Sequence, residues 1–447
     1  MKVMILRSFQ GFTRVVWLSL LLLFPGATTA NAYSVLSHEE VVDMAWTPYL
    51  VPLLRARYPG LTADQLREAH SYAYGGCLIQ DLGYYPFGNK FYSDMLHYVR
   101  TGAFVEALLH DAGNADELAF ALGALAHYTA DAVGHPYVNR LTAEENPKLK
   151  KKFGDVVTYE QAKVAHIRTE FGFDVVEVAH GRYSQDNYRD FIGFQVAKPL
   201  LDRAFEETYG MKLADLLHDE DHAITTYRSA VSELIPKMTV VAATAYAQQI
   251  EKENPGFNKR KFIYRLRRTE FEKEWGHGYS KPSFGTRFLA LLVKLLPKIG
   301  PLKILKPTIP NATQQDGYIK SVNQTVDRYG EYLKQLTSSN GQADTAQIST
   351  AALVLGGTNL DTGDLIRFGQ YRLSDQTHER LLHEYLKPNA QPVPAAVLDH
   401  LVRFYADSPA GEDQMPRKDM DRIHLQLTDL QQRAAAGQAK VSPKVSN

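Results

Sequence analysis

Two pairs of side chains in this sequence have types and a spacing that suit metal coordination. His127 precedes Asp131 by four residues, and His166 precedes Glu170 by the same interval. Residues four apart lie on one face of a helix, so each histidine and its carboxylate can reach one metal ion together. His135 follows His127 by about 12 Å along a helix, at about 1.5 Å per residue, and is therefore better placed to bind a second ion.

The spacing alone leaves another interpretation open, because ion pairs on a helix surface have the same interval. For His166 and Glu170 the alternative is a surface ion pair, and for His127 it is a buried histidine with a hydrogen-bond partner. Residues 118–133 are rich in apolar side chains, which predicts a buried helix. A buried carboxylate at Asp131 is costly without a partner, and metal coordination is one way to keep it charged.

With its neighbours, the stretch from His127 to Asn139 resembles the zinc-dependent phospholipase C family, including its glycosylphosphatidylinositol-cleaving branch. The zinc-dependent single-strand nucleases, which share that fold, are a more distant resemblance. The resemblance covers about residues 33–181. It implies three zinc ions bound by the N-terminal residue, histidines and carboxylates in a fixed order. Here that order reads Tyr33, His38, Asp81, His97, His127, Asp131, His135, His166 and Glu170.

The resemblance also implies how these residues divide among the ions. One ion is expected at Asp81, His97, His127 and Asp131, a second at His135, His166 and Glu170, and a third at Tyr33, His38 and Asp131. Asp131 would then bridge two ions. Mixed imidazole and carboxylate ligation suits zinc, although these residue types do not exclude other divalent ions. The implied nucleophile is metal-bound hydroxide, with Asp81 as a catalytic base as well as a ligand.

Two positions depart from the family pattern. Tyr33 stands where these families usually have Trp, and His135 follows Asp131 by four residues, where the bacterial phospholipases and nucleases have a longer interval. The shorter interval is the one expected of the glycosylphosphatidylinositol-cleaving branch. Because chelation by the backbone does not depend on the side chain, Tyr33 weakens the inference about substrate more than the one about metal.

An N-terminal ligand requires cleavage at one bond, and the first 32 residues have the features of a secretory signal. Three basic residues precede an apolar run at residues 15–24, and an Ala-Asn-Ala sequence ends at Ala32. The run is shorter than the roughly 20 residues of a transmembrane helix, which disfavours an uncleaved anchor. Cleavage after Ala32 makes Tyr33 the first residue and predicts a secreted or periplasmic protein.

Composition limits the remaining function classes. The chain has 50 basic and 50 acidic residues, so its bulk charge disfavours nucleic acid as a partner. Cys77 is the single cysteine and has no disulfide partner within the chain, and we expect a buried thiol rather than a further metal ligand. Nine other histidines lack a convincing set of partners and are expected mostly at the surface: His110, His180, His218, His222, His277, His378, His383, His400 and His424.

Helices are predicted to position the candidate ligands. Apolar residues recur at three- and four-residue spacing, as in residues 41–54, and strand-like alternation is scarce. Asn114 or Asp116 is predicted to cap the helix that carries His127, and Thr158 to open the helix that carries His166. The polar, lysine-rich residues 146–154 are predicted to be a connection. The predicted fold class is all-α, a multi-helix bundle with a helical C-terminal extension, and the resemblance implies that the bundle holds a trinuclear metal site.

Four segments are predicted along the chain. They are a signal peptide (residues 1–32), a metal-binding helical phosphoesterase domain (33–252), a linker with an apolar and basic segment (253–310) and a helical C-terminal extension with a disordered tail (311–447). Residues 361–364 are predicted to form a turn, because their spacing does not match a calcium loop.

The segment from Phe288 to Leu305 combines apolar and basic residues in the manner of an interfacial helix. It therefore suggests a peripheral membrane contact. Pro297 and Pro301 would break such a helix into short pieces, which favours the alternative of a buried helix and loop.

The resemblance implies an exported zinc-dependent phosphodiesterase, a phospholipase C-like hydrolase acting on a phospholipid or another phosphodiester. A nuclease would need aromatic side chains for base stacking, which Tyr84 and Tyr85 could supply, but the near-neutral charge counts against it. A third alternative is a metal-stabilised binding protein whose site has no open position for water. The sequence does not determine the oligomeric state.

Overall fold

Helices make up the fold. A computed structural model describes residues 35–180, 194–231, 246–253, 307–337, 353–406 and 417–441, with the single positions Ile235, Thr239 and Ala242. Within these ranges there is no strand, and one isolated bridge joins Thr358 to Leu365. The all-α prediction is confirmed. The predicted signal peptide, Tyr33 and the segment from Phe288 to Leu305 lie outside the described residues.

The helices are numbered here in chain order. They are α1 Val35–Ala45, α2 Val51–Arg57, α3 Ala63–Gly76, α4 Lys90–Tyr98, α5 Thr101–Asp111, α6 Ala115–Glu145, α7 Pro147–Phe153, α8 Tyr159–His180, α9 Lys198–Tyr209, α10 Leu213–Leu216, α11 Glu220–Ser229, α12 Ala247–Glu253, α13 Ala312–Thr337, α14 Arg372–Leu386, α15 Ala395–Ala406 and α16 Arg417–Val441. A π-helix at Trp46–Leu50 joins α1 to α2, and a 3-10 helix at Ile79–Tyr84 follows α3.

The long helix α6 lies at the centre of the bundle. Every residue from Leu118 to Asp131 is buried, and a helix that is buried all round must be surrounded by other elements. Helices α1, α3, α5, α8 and α13 pack against it. Of the two predicted caps, Asn114 is the one observed, because its side chain accepts a hydrogen bond from the backbone N–H of Glu117 at 2.9 Å.

Helices α3 and α6 cross at backbone contact. A Cβ on Gly123 of α6 would lie 2.1 Å from the carbonyl oxygen of Ala73, and a Cβ on Gly76 of α3 would lie 1.9 Å from that of Phe120. Only glycine allows so close an approach without displacing the backbone. The crossing brings the end of α3, and the 3-10 helix that follows it, to the face of α6 that carries the predicted ligands.

The prediction of a connection at residues 146–154 was wrong, because Pro147–Phe153 form the short helix α7. Pro147 occupies the first turn, where its missing N–H costs nothing, and the lysines that looked like a solvated loop have good helix propensity. Gly154 ends the helix with φ +92°. Helix α8 then begins at Tyr159, directly after the predicted Thr158.

The C-terminal helices share the core of the N-terminal bundle. Helix α13 packs on α6 and α1, and α14 packs on α4. The hydroxyl of buried Tyr329 donates to the carbonyl of Leu122 at 2.8 Å, which ties α13 to the middle of α6. In the described ranges, no helix is both long enough and apolar enough to cross a membrane.

Candidate metal centre

Five of the predicted ligands, with Asp131 among them, form one group. The Oδ1 atom of Asp131 lies 3.4 Å from Nε2 of His38. Its Oδ2 atom lies 3.1 Å from Nε2 of His127 and 3.4 Å from Nε2 of His97. Asp81 Oδ1 lies 3.4 Å from the same nitrogen of His97. The first four elements of the site, α1, the 3-10 helix, α4 and α6, thus each contribute to one group.

The remaining three described candidates form a second group one turn further along α6. His135 Nε2 lies 3.6 Å from Oε1 of Glu170, and His166 Nε2 lies 2.6 Å from the same oxygen. The imidazole ring centroids of His135 and His166 are 5.2 Å apart. Helix α8 supplies His166 and Glu170 on one face, as their interval predicted. The structure therefore brings together all eight candidates that it describes; Tyr33 is the ninth.

The separations in the first group fit ligands that share an ion. Two nitrogen or oxygen ligands, each about 2.0–2.1 Å from a tetrahedral zinc, lie about 3.3–3.4 Å from each other. A direct hydrogen bond would bring these atoms to about 2.7–3.2 Å. Three of the four contacts around Asp131 and His97 are 3.4 Å long. The contact between His166 and Glu170, at 2.6 Å, is by contrast of hydrogen-bond length.

Backbone carbonyls orient the imidazole rings. His97 Nδ1 donates to the carbonyl of Ser93 at 2.7 Å, and His127 Nδ1 donates to that of Cys77 at 2.9 Å. His135 Nδ1 donates to a carbonyl as well. An Nδ1–H that is engaged in this way leaves the lone pair on Nε2, the atom that faces the carboxylates in each ring.

Unsatisfied buried atoms give an independent test of whether these residues fit a metal. All eight candidates are at most 2% exposed. Within the described part of the chain, several of these buried atoms have no polar partner apart from the other candidate ligands: both carboxylate oxygens of Asp131, Nε2 of His127, the ring nitrogens of His166 and Oε1 of Glu170. Leaving such atoms buried without a partner is costly, and a cation would satisfy them together. The residues fit zinc, which takes nitrogen and oxygen ligands of these types.

Protonation follows from burial and neighbouring charge. Burial lowers the pKa of His166 to about 4 and, with the charge of His127, lowers that of His38 well below its usual value. Both rings are therefore neutral near pH 7 and can act as ligands. Burial alone would raise the pKa of Asp131, but in the metal-free site the charge of His127 holds it well below its usual value. A bound cation would take the place of the proton on His127 Nε2. Asp131 is thus a charged carboxylate at the centre of the group.

A contribution from the C-terminal extension was missed by the sequence analysis. The carbonyl that accepts from His135 Nδ1 belongs to Leu360, and Oδ1 of Asp361 lies 3.9 Å from the same nitrogen. The hydroxyls of Tyr98 and Tyr371 donate to Oδ2 of Asp361 at 2.7 and 2.5 Å. The prediction of a turn at residues 361–364 is confirmed, but no local signal marked it as part of the site.

Two tyrosines pack against the candidate ligands. The ring of Tyr84 lies 5.7 Å from that of His97, and the ring of Tyr159 lies 5.7 Å from that of His166. Tyr84 and Tyr159 belong to one small apolar cluster, so they span the two ligand groups. Tyr84 and Tyr85 are each only 4% exposed, and neither presents the open face that base stacking requires.

Other predicted positions have structural roles. Cys77 is a buried free thiol, as expected. His378 was expected at the surface, but it is fully buried, with its ring stacked on Phe404 at 3.5 Å. Its Nε2 lies 3.0 Å from Nε2 of His400. The expectation was wrong for His378 because α14 packs its apolar face, including this ring, against α15.

Comparison with known proteins gives one family match. Residues 37–217 match the model of a family described as zinc dependent phospholipase C. No curated protein and no solved structure matches the chain. The matched segment contains all eight described ligand candidates, and it ends before the turn that carries Leu360 and Asp361.

Proposed function

The domain at residues 37–217 belongs to the zinc-dependent phospholipase C family, and from this premise we propose that the chain is an exported phosphodiesterase that hydrolyses phospholipids with three zinc ions. One observation carries the proposal. Eight buried imidazole and carboxylate side chains, from five separate elements, form two groups, one containing Asp131 and one containing Glu170, with their metal-binding atoms facing one another.

The first group of candidate ligands would hold two ions that share Asp131, and the second group would hold one. One ion would be held by Asp81, His97, His127 and Asp131, a second by His135, His166 and Glu170, and a third by Tyr33, His38 and Asp131. The position of Asp131 supports a bridging role, because Oδ1 faces His38 while Oδ2 faces His97 and His127. When bound, zinc lowers the pKa of a coordinated water towards neutrality and offsets the charge that builds on phosphoryl oxygens.

Asp81 is the proposed base. Its carboxylate is fully buried and contacts His97, and burial raises its pKa above the ordinary value. A carboxylate held in this position can accept a proton from an attacking water. His97 holds the carboxylate in place, since its own Nδ1–H is fixed on the carbonyl of Ser93.

Tyr159 and Lys163 are the proposed contacts for the substrate phosphate. The hydroxyl of Tyr159 is buried beside His166 and makes no hydrogen bond among the residues described. Burial raises the pKa of Tyr159 well above 10, so the hydroxyl remains a donor. Lys163 Nζ lies 5.2 Å from the centroid of the Tyr159 ring. A phenol and an ammonium beside the ligands can bind phosphoryl oxygens.

Export and lipid contact complete the proposal. The charged, apolar and small-residue segments at the N-terminus support a cleaved signal ending at Ala32. Cleavage there would free the α-amine of Tyr33, which the ligand set requires. The apolar and basic residues from Phe288 to Leu305 suit docking on a lipid surface. Pro297 and Pro301 favour a buried helix and loop instead, and substitution of the leucines distinguishes the two.

Hydrolysis of a substrate panel by the mature protein tests the proposal. Zinc-loaded protein should release phosphorylated head group and diacylglycerol from phosphatidylcholine or phosphatidylinositol, and it should lose this activity on chelation. Asp81→Asn should abolish hydrolysis. Asp64→Asn, which alters a carboxylate that is 84% exposed on α3, should leave it unchanged. Hydrolysis of single-stranded DNA with no hydrolysis of phospholipid would reject the proposal.

A further inference from the structure

The C-terminal extension reaches the metal centre through residues 357–364, called here the extension turn. We infer that Leu360 and Asp361 of the extension turn position His135 for metal binding, so that the second ion depends on residues outside the matched family domain. The inference rests on the proposed metal centre. It assigns a role to a part of the chain that follows the family match by more than a hundred residues.

The extension turn has a conformation fixed by its own hydrogen bonds. The carbonyl of Asn359 accepts from the N–H groups of Thr362 and Gly363 at 3.2 and 2.8 Å. The side chain of Asn359 accepts from the N–H of Asp361 at 3.0 Å. Gly363 has φ +75°, a conformation that L side chains rarely adopt. Leu360 and Asp361 are therefore held in a preformed turn.

The backbone of Leu360 connects the two ligand groups. Its N–H donates to the carbonyl of His97 at 3.1 Å, and its carbonyl accepts from Nδ1 of His135. His97 belongs to the first group and His135 to the second. A single residue of the extension thus fixes the separation of two ligands and the direction of the His135 lone pair.

Helix α6 provides a matching surface for the turn. Asn139 Nδ2 donates to the carbonyl of Asp361 at 2.8 Å. A Cβ on Gly363 would lie 2.4 Å from the carbonyl oxygen of Ala132. Pro136 has no N–H and so leaves this carbonyl without its usual helical partner. The extension turn therefore packs against the part of helix α6 that lies between Asp131 and His135.

The carboxylate of Asp361 is oriented towards the ring it supports. Tyr98 and Tyr371 both donate to Oδ2, while Oδ1 lies 3.9 Å from Nδ1 of His135. A carboxylate behind a metal-binding imidazole fixes the ring and increases its basicity. It also offsets charge, because a divalent cation bound by two neutral imidazoles and the single carboxylate of Glu170 would retain one positive charge.

The competing explanation is that the turn only stabilises the fold. A structural role would make substitutions at Asp361 affect all three ions, or none, with a change in stability. A positioning role predicts that one ion is affected and the other two are not. Measuring zinc affinity ion by ion separates the two explanations without any use of catalytic activity.

The test compares Asp361→Asn with Asp364→Asn in the full chain. Asp364 is an exposed carboxylate in the same turn. Titration with a competing zinc chelator should show one ion bound about 10- to 100-fold more weakly in Asp361→Asn, and wild-type affinities in Asp364→Asn. Asp361→Glu, which keeps the charge, should recover part of the affinity.

A second variant, Tyr371→Phe, keeps the test decisive if Asp361→Asn fails to fold. Tyr371→Phe removes one donor to Asp361 and leaves its charge, so it should weaken the same ion by a smaller factor. Wild-type affinity for all three ions in both Asp361→Asn and Tyr371→Phe would overturn the inference, as would an equal loss of all three. If the wild-type protein binds zinc normally but cleaves no phosphodiester, the proposed function fails while this inference stands.

Discussion

Asp131 is the one proposed ligand shared by two ions, so its replacement should cause the largest loss of metal and of stability. The change Asp131→Asn keeps the shape of the side chain and removes its charge. The carboxylate faces His38 with one oxygen and both His97 and His127 with the other. An amide has one oxygen and one NH₂ group, so it cannot bind metal on both sides at once. We expect loss of two of the three ions.

The expected loss of stability follows from mass action. Free zinc at 100 times its dissociation constant adds about 2.7 kcal/mol per ion to the free energy of unfolding, so losing two ions removes about 5 kcal/mol. The C-terminal helices share the core, so the unit that unfolds has about 300 residues and an unfolding entropy of about 0.6 kcal/mol/K. The loss therefore corresponds to a fall in melting temperature of about 8 °C. Glu170→Gln alters a ligand of one ion only and should lower the melting temperature by about half as much.

The assay combines metal analysis with calorimetry in zinc-buffered solution. Asp116→Asn is a matched control, because Asp116 lies in the first turn of the same helix, away from the ligands. It should retain three ions and lose at most about 1 kcal/mol through the helix dipole. Three ions and a wild-type melting temperature in Asp131→Asn would refute the bridging role.

Three further predictions address other parts of the site. One extra residue before Tyr33 should displace a single ion, since chelation needs the free α-amine, and an unchanged metal content would reject N-terminal ligation. Burial lowers the pKa of Lys163 to about 8, so the side chain is charged below that pH and neutral above it. The KM for phospholipid should therefore rise as the pH passes about 8, and Lys163→Met should remove this rise. Replacing Leu291, Leu292 and Leu295 with Ser should reduce hydrolysis of vesicle phospholipid while sparing a short soluble phosphodiester; equal loss on both, with a lower melting temperature, would instead indicate buried leucines.

The parts of the site that could be predicted from local sequence are the helical pairs. The interval between His127 and Asp131 placed both on one face of α6, and their nearest atoms lie 3.1 Å apart. His166 and Glu170 behave in the same way, at 2.6 Å. Helix geometry determines such contacts whatever the tertiary fold. Spacing alone, however, did not distinguish a buried pair from an ion pair on the helix surface.

The contacts between elements needed more than spacing. His38, Asp81 and His97 lie on three different elements, and only the resemblance to a known family placed them in one site. The extension turn was missed because a residue at position 360 contacts one at position 135, across 225 positions of sequence. The turn contributes through the backbone carbonyl of Leu360. Every residue has such a carbonyl, so the pattern of side chains in the sequence does not reveal this contact.

Burial in the C-terminal extension was also hard to predict. His378 and His400 lack the nearby acidic partners that a metal site would show, which favoured a surface position. Amphipathic helices bury one face against a neighbour that the sequence does not identify. His378 lies on that face of α14 and stacks on Phe404 of α15.

Anomalous scattering from crystals of the mature protein, measured at the zinc absorption edge, tests the central claim most directly. Three peaks are expected, each about 2.0–2.2 Å from the nitrogen and oxygen atoms assigned to it. One should lie between Asp131 and His127, one between His135 and Glu170, and one between Asp131 and the N-terminal residue. A zinc-saturated crystal with no anomalous peak at Asp131, or with peaks only elsewhere, would contradict the account.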